Sequence, residues 1–136
     1  MGIAREQQET AGGVKKRRLL IVEDEADTRW ALAALLEFDG HEIDLAVDGK
    51  AGLDAVLNGR YEIALVDLAL PRLSGYELAR RVRDTGKPII LIALTGHGLY
   101  RDEEAAMEAG FDAFVLKPVS PQALMALVSD PPSRTH

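Results

Sequence analysis

The chain has 136 residues, of which 47% are hydrophobic and 28% charged, a balance typical of one folded domain rather than a disordered or fibrous protein. Its 22 acidic residues against 16 Lys and Arg give a net charge of -6, which does not favour nonspecific binding to nucleic acid or to an anionic membrane. The lack of cysteine excludes disulfides, zinc thiolate sites and thiol chemistry, and neither a membrane-spanning stretch nor a signal peptide is recognisable. We therefore expect a cytoplasmic protein without membrane insertion or direct nucleic-acid binding.

The two ends of the chain differ in composition from its centre. Residues 1–16 are polar, contain Gly12-Gly13 and show no hydrophobic period, which predicts a flexible N-terminal tail or linker. Residues 130–136 are similarly loop-like and predict a C-terminal tail, so that the folded domain spans 17–129. Because nothing after the last helical pattern is long enough for an output domain, we expect the chain either to stand alone or to be cut from a larger protein.

Apolar runs rich in branched residues alternate with helical patterns along the centre of the chain. The runs that predict strands are Leu19–Val22, His41–Ala46, Tyr61–Val66, Pro88–Leu94 and Ala113–Leu116, the second of which alternates as a strand near a sheet edge does. The patterns that predict helices are Asp27–Asp39, Lys50–Asn58, Gly75–Asp84, Leu99–Ala109 and Pro121–Val128. Five βα units in succession predict an α/β fold with a parallel sheet covered by helices on both faces.

Helix punctuation agrees with this pattern. Gly40, Gly59 and Gly110 each follow a predicted helix, where a left-handed residue is expected, and Ser120-Pro121 is typical of a helix start.

Polar side chains follow four of the predicted strands. Glu23-Asp24-Glu25 follows the first strand, Asp67 the third, Thr95 the fourth and Lys117 the fifth. The carboxyl ends of parallel strands share one edge of the sheet, where ligands bind. Carboxylates placed together repel one another unless a cation offsets their charge, and oxygen ligands without Cys favour Mg²⁺. With the Lys117 amine and the Thr95 hydroxyl available to phosphoryl oxygens, the pattern indicates a phosphoryl-transfer site.

Several motifs make the chain recognisable at this point. They are Glu23-Asp24, Val66–Pro71 with Gly75, Ala93–Gly96, Ala109–Ala113 and Lys117-Pro118, in this order. Over about residues 18–128 the chain resembles the receiver domain of two-component response regulators. The resemblance implies a flavodoxin-like fold with strand order 2-1-3-4-5, and phosphorylation of Asp67 by a histidine kinase or a phosphotransfer protein. It also implies a downstream protein partner, and a phosphorylation-dependent homodimer is one option.

The resemblance also implies roles for individual residues. Mg²⁺ would be held by Asp24, Asp67 and the backbone carbonyl of Ala69, with Glu23 acting through water. Thr95 and Lys117 would stabilise and sense the phosphoryl group, which the chain would help to attach and remove without otherwise being an enzyme.

Other positions would shape or tune the site. Phe114 stands where the family has the aromatic side chain that turns inward on activation, often Tyr. Pro71 and Gly75 would shape the loop after the phosphorylation site, and Lys117-Pro118 would be a cis peptide. Ala69 and His97 would modulate the lifetime of the phosphorylated form, although His97 between two glycines is equally typical of a mobile loop.

Three other functions fit the sequence less well. A haloacid-dehalogenase-like phosphatase needs a second aspartate where Ala69 stands, and in a flavodoxin-type electron carrier Glu23–Glu25 would repel the cofactor phosphate. An inactive receiver that only docks partners is disfavoured because every key position is filled. The segments Leu94–Gly98 and Phe111–Phe114 resemble receivers of hybrid histidine kinases.

The only tryptophan, Trp30, falls beside the apolar stripe of the first helix, which Thr28, Leu32, Leu35 and Leu36 form. We therefore expect it at the side of the helix or facing outward. Its ring would either cover neighbouring aliphatic stems or contact the histidine-bearing partner.

Overall fold

The computed structural model describes residues 15–96 and 100–133. The strands are β1 (Arg18–Val22), β2 (Glu42–Ala46), β3 (Ile63–Asp67), β4 (Ile90–Thr95) and β5 (Ala113–Leu116). The helices are α1 (Ala26–Phe38), α2 (Gly49–Asn58), α3 (Gly75–Asp84), α4 (Tyr100–Ala109) and α5 (Pro121–Ser129). Residues 1–14 of the predicted N-terminal tail, residues 134–136 of the predicted C-terminal tail and His97 lie outside the described residues.

The five strands form one parallel sheet in the order β2-β1-β3-β4-β5, which confirms the predicted flavodoxin-like fold. The β3 and β4 strands begin two residues later and end one residue later than predicted. Their last residues, Asp67 and Thr95, still pair with neighbouring strands, Asp67 with Leu94 and Thr95 with Leu116. The polar side chains at this edge therefore belong to the sheet itself, and its backbone fixes their positions.

Two apolar layers enclose the sheet because strand side chains alternate between its faces. One layer packs β1 and β3 residues such as Leu20 and Val66 against α2, α3 and α4. The other packs residues such as Ile21 and Leu65 against α1 and α5. No helix in the described part of the chain is long and apolar enough to cross a membrane.

Local backbone chemistry explains most helix ends. Ser120 caps α5 by accepting from the Ala123 N–H at 3.3 Å, with Pro121 at the first helical position, as predicted. Gly40 and Gly110 have φ of 98° and 117°, the left-handed conformation expected of them. The prediction for Gly59 was wrong, because its φ is -114° and the chain leaves α2 in an extended conformation.

Gly75 has a packing role beyond loop punctuation. A Cβ at this position would lie 2.4 Å from the Asp67 carbonyl oxygen and 2.8 Å from the Leu68 Cα. The Gly75 N–H also donates to the Leu68 carbonyl at 3.2 Å. The start of α3 therefore lies directly against the backbone that carries Asp67, and only glycine allows this approach.

A buried histidine makes the stability of the fold sensitive to pH. The His41 Nδ1 accepts a hydrogen bond from the Arg17 N–H at 3.1 Å, and its Nε2 has no hydrogen-bond partner among the described residues. Burial lowers the pKa of His41 below its usual 6.5, despite the opposing charge of Asp39. Below about pH 6.5 the unfolded chain therefore binds a proton more readily than the native one, and stability falls as the pH falls.

We expect the free energy of unfolding to drop between about pH 7.5 and about pH 5.5, and to drop less in His41→Asn, whose amide oxygen is able to accept from the Arg17 N–H. Urea unfolding at both pH values measures this. An equal drop in both proteins would show that His41 does not contribute.

Candidate functional site

Three carboxylates meet at the carboxyl edge of the sheet. Glu23 follows β1 and is fully buried, Asp67 ends β3 and is buried, and Asp24 is exposed. One carboxylate oxygen from each lies within 4.8 Å of the others. This is the cluster that the sequence predicted, open to solvent on the side of Asp24.

Lys117 bridges two of these carboxylates. Its Nζ donates to Glu23 Oε1 at 2.6 Å and lies 3.3 Å from Asp67 Oδ2. Burial raises the pKa of Glu23, and the hydrogen bond from Lys117 only partly offsets this effect. Burial also acts to lower the pKa of Lys117, but the hydrogen bond to Glu23 and the charges of Asp67 and Glu23 outweigh it, so that the pKa is raised. Lys117 is therefore held as a cation beside Asp67.

Glu25, the third acidic residue after β1, is not part of the carboxylate cluster and instead caps a helix. Glu25 caps α1, with its side chain accepting from the backbone N–H and the hydroxyl of Thr28. These hydrogen bonds hold the pKa of Glu25 below its usual value. Arg29, one turn into α1, donates to the Glu23 and Asp24 carbonyls at 2.9 and 3.3 Å. Arg29 therefore holds the backbone of the acidic loop in place. The sequence analysis did not identify this role, because the Arg29 side chain reaches the loop only when α1 begins directly after Glu25.

A cavity of about 300 Å³ opens beside Asp67. Thr95 lines it from the end of β4 and is buried, while its backbone carbonyl accepts from the Lys117 N–H at 2.7 Å. The described residues that line it are Asp67, Leu68, Ala69, Tyr76, Leu94, Thr95, Gly96, Asp102 and Lys117. The structure thus brings together the predicted Asp67, Thr95 and Lys117, and adds Tyr76 and Asp102.

The loop after β3 begins with a turn at Asp67. The Ala69 N–H donates to Asp67 Oδ1 at 3.0 Å, which fixes the carboxylate and leaves the exposed Ala69 at the mouth of the cavity. The Lys117-Pro118 peptide is cis, as predicted. Phe114 is partly buried and packs against the layer that includes α4.

Trp30 faces outward on α1, with 62% of its surface exposed, which confirms its predicted orientation. The helix buries Leu32, Ala33 and Leu36 instead. A second aromatic residue, Phe38, ends α1 and is 89% exposed.

Comparison with known proteins shows to which family the chain belongs. The family model for the response regulator receiver domain matches residues 19–129. The chain belongs to this family. The transcriptional regulatory protein DltR of Streptococcus agalactiae is 38% identical over 111 residues, which are 82% of this chain and 50% of DltR. The receiver domain described here spans about half the length of the curated relatives it matches.

Solved receiver structures share the fold. The receiver domain of Ssk1 from Saccharomyces cerevisiae, crystallised with the histidine phosphotransfer protein Ypd1, is 28% identical with a TM-score of 0.80, covering 85% of this chain and 88% of that one. The receiver domain of the sensor histidine kinase PA1611 from Pseudomonas aeruginosa is 29% identical with a TM-score of 0.77, covering 84% and 95%. That domain has a magnesium ion coordinated in its active site cleft. These comparisons do not favour the haloacid-dehalogenase-like alternative.

Proposed function

We propose that this receiver domain accepts a phosphoryl group on Asp67 from the phosphohistidine of a histidine kinase or phosphotransfer protein, and thereby changes the surface that it offers to a downstream partner. The observation that carries the proposal is the position of Asp67, which ends the central strand at the wall of a cavity, with the Lys117 ammonium 3.3 Å from its carboxylate.

The transfer requires one bond to form and one to break. An Asp67 carboxylate oxygen attacks phosphorus, and the P–N bond to the donor histidine breaks with its electron pair going to nitrogen. The donor leaves as neutral imidazole when its other nitrogen carries a proton. The product is an acyl phosphate, and positioning and electrostatics supply most of the catalysis in such a reaction.

Lys117 and Thr95 are the groups placed to stabilise the transferred phosphoryl oxygens. Lys117 carries a positive charge into the wall of the cavity, and Thr95 carries a hydroxyl. Phe114 lies on β5, three residues before Lys117, and is proposed to turn inward on activation. Ala69 and His97 remain proposed modulators of phosphoryl lifetime.

The donor atoms fit a hard divalent cation. Three carboxylates with oxygens within 4.8 Å of one another, one of them exposed, match the oxygen ligands and retained water of Mg²⁺. Asp24, Asp67 and the Ala69 carbonyl would hold the ion, with Glu23 acting through water. When bound, Mg²⁺ supplies positive charge that offsets the charge of the phosphoryl oxygens.

Asp24→Asn is expected to weaken Mg²⁺ binding without preventing folding, because Asp24 is exposed and contributes charge rather than packing. Mg²⁺ should stabilise the native protein and so raise its melting temperature. At a Mg²⁺ concentration of about 100 times the dissociation constant, the free energy of unfolding should rise by about 2.7 kcal/mol. Thermal unfolding in Mg²⁺ and in EDTA measures this for both proteins. Asp54→Asn, which changes an exposed aspartate on α2, is the matched control. If Mg²⁺ stabilised Asp24→Asn as much as it stabilises the native protein, the ion would have to bind elsewhere.

The exposed ring of Trp30 is proposed to contact the phosphodonor protein, since α1 begins directly after the acidic loop. Trp30→Ala should slow phosphotransfer from a phosphorylated histidine phosphotransfer protein by about tenfold, as loss of an aromatic anchor does. Phosphorylation by acetyl phosphate should not change. Phe38→Ala, at the far end of α1, is the matched aromatic control, and equal rates from the protein donor in Trp30→Ala and native protein would refute the contact.

The proposed function is tested by incubating the protein with acetyl phosphate and measuring its intact mass. We expect a gain of one phosphoryl group in Mg²⁺ and little gain in EDTA. No adduct under any Mg²⁺ concentration would contradict the proposal.

A further inference from the structure

The acidic loop between β1 and α1, residues 23–25, carries one carboxylate that no side-chain contact holds. Asp24 is exposed, and its carboxylate accepts no hydrogen bond and forms no ion pair with the residues that the structure describes. Glu23 and Asp67, in contrast, both contact the Lys117 ammonium, at 2.6 and 3.3 Å. The position of the Asp24 carboxylate in the cluster therefore depends on the backbone of the loop.

Repulsion between like charges acts to move this carboxylate outward. One oxygen of Asp24 lies within 4.8 Å of an oxygen of Glu23 and of an oxygen of Asp67. Two unit charges about 5 Å apart at a dielectric constant of about 80 change an equilibrium about fourfold. An exposed aspartate on an unrestrained loop would therefore turn away from the cluster and into solvent.

Arg29 restrains the backbone of this loop from α1. Its Nη1 donates to the Glu23 carbonyl at 2.9 Å and to the Asp24 carbonyl at 3.3 Å. The other hydrogen bonds of the loop involve its N–H groups, from Glu23 to the Ala46 carbonyl at 3.1 Å and from Glu25 to Glu23 Oε2 at 3.2 Å. In the described part of the chain, Arg29 is thus the side chain that fixes the carbonyl on the far side of Asp24.

We propose that Arg29 is a positioning residue for the metal site, because its hold on the Glu23 and Asp24 carbonyls keeps the Asp24 carboxylate in the cluster and so raises the affinity of the chain for Mg²⁺. This inference rests on the proposed function. Residues that orient metal ligands without touching the ion typically change metal affinity by about tenfold to a hundredfold.

The charge of Arg29, taken alone, predicts the opposite effect. Its guanidinium is a cation within hydrogen-bond distance of the loop, so that its removal would relieve repulsion of a bound divalent cation and strengthen Mg²⁺ binding. Loss of positioning, in contrast, weakens Mg²⁺ binding. The sign of the change in affinity therefore distinguishes the two effects.

The test is the affinity of the 136-residue chain for Mg²⁺, measured by titration calorimetry. In Arg29→Met, whose side chain donates no hydrogen bond, the dissociation constant should rise about tenfold or more. Arg29→Lys keeps a cation and a donor, and should bind Mg²⁺ more tightly than Arg29→Met. Arg80→Met removes the same charge from an exposed position on α3, and as the matched control it should keep the native affinity.

Native or tighter Mg²⁺ binding in Arg29→Met would overturn the inference, as would an equal loss of affinity in Arg80→Met or no recovery of affinity in Arg29→Lys. Thermal unfolding in EDTA verifies that each variant folds. Arg29→Gln, with the same expected loss of affinity, serves as a second neutral variant if Arg29→Met does not fold. Failure of the native protein to bind Mg²⁺ or to form an adduct with acetyl phosphate would instead contradict the proposed function.

Discussion

Asp67→Asn is expected to abolish the phosphoryl adduct that acetyl phosphate and Mg²⁺ form on the native chain. The amide is a poor nucleophile, and it removes the negative charge that Lys117 contacts at 3.3 Å. The variant should still fold, because asparagine has nearly the same volume and its side-chain oxygen is able to accept from the Ala69 N–H. Intact mass after incubation measures the effect, and thermal unfolding verifies the fold.

A matched control for this loss is Asp54→Asn, which makes the same change at an exposed position on α2, outside the cavity lining. This variant should still gain a phosphoryl group. An adduct on Asp67→Asn equal to that on native protein would refute Asp67 as the acceptor.

The largest expected loss of stability follows from breaking the buried ion pair between Arg83 and Asp112. Arg83 Nη2 lies 2.7 Å from Asp112 Oδ2, and the Asp112 side chain is completely buried. The same guanidinium donates to the Gly110 and Ile89 carbonyls at 2.8 and 2.7 Å. Asp112 also accepts from the Leu91 N–H at 2.9 Å. The pair therefore connects α3 to the starts of β4 and β5; β4 ends at Thr95, and Lys117 directly follows β5.

Arg83→Ala is expected to destabilise the fold by about 3 to 5 kcal/mol, because it leaves the Asp112 carboxylate buried without its cation. Urea unfolding measures the change. Arg80→Ala, on the same helix, removes an exposed ion pair with Glu77 at 3.7 Å and should cost no more than about 1 kcal/mol. A similar small loss in both variants would show that the buried pair contributes little.

The sequence was sufficient to predict which polar side chains meet at this edge of the sheet, because their meeting depends on chain order and strand polarity. Asp24, Asp67, Thr95 and Lys117 each stand at the end of an apolar run, and parallel strands bring such ends together. The strand order, in contrast, was predicted from the family resemblance. The hydrophobic pattern placed the ends of β3 and β4 one residue early, because Asp67 and Thr95 were treated as loop residues although both remain paired in the sheet.

Other features depend on packing that a single sequence does not reveal. Tyr76 and Asp102 lie on different helices and meet only because α3 and α4 pack beside the same cavity. Arg83 and Asp112 are residues that usually lie at the surface, and their burial depends on each other. The left-handed conformation predicted for Gly59 was wrong for a similar reason. The sequence does not show the path of the chain from α2 to β3, and on that path Gly59 is extended.

The most direct test of the central claim is to locate the phosphoryl group on the unmodified chain. After incubation with acetyl phosphate and Mg²⁺, borohydride reduction converts an aspartyl phosphate to homoserine, and peptide mass spectrometry identifies the converted residue. The proposed function predicts homoserine at position 67 and unchanged aspartate at positions 24, 102 and 112. Conversion at another aspartate with Asp67 intact, or a phosphoryl group that resists reduction, would contradict it.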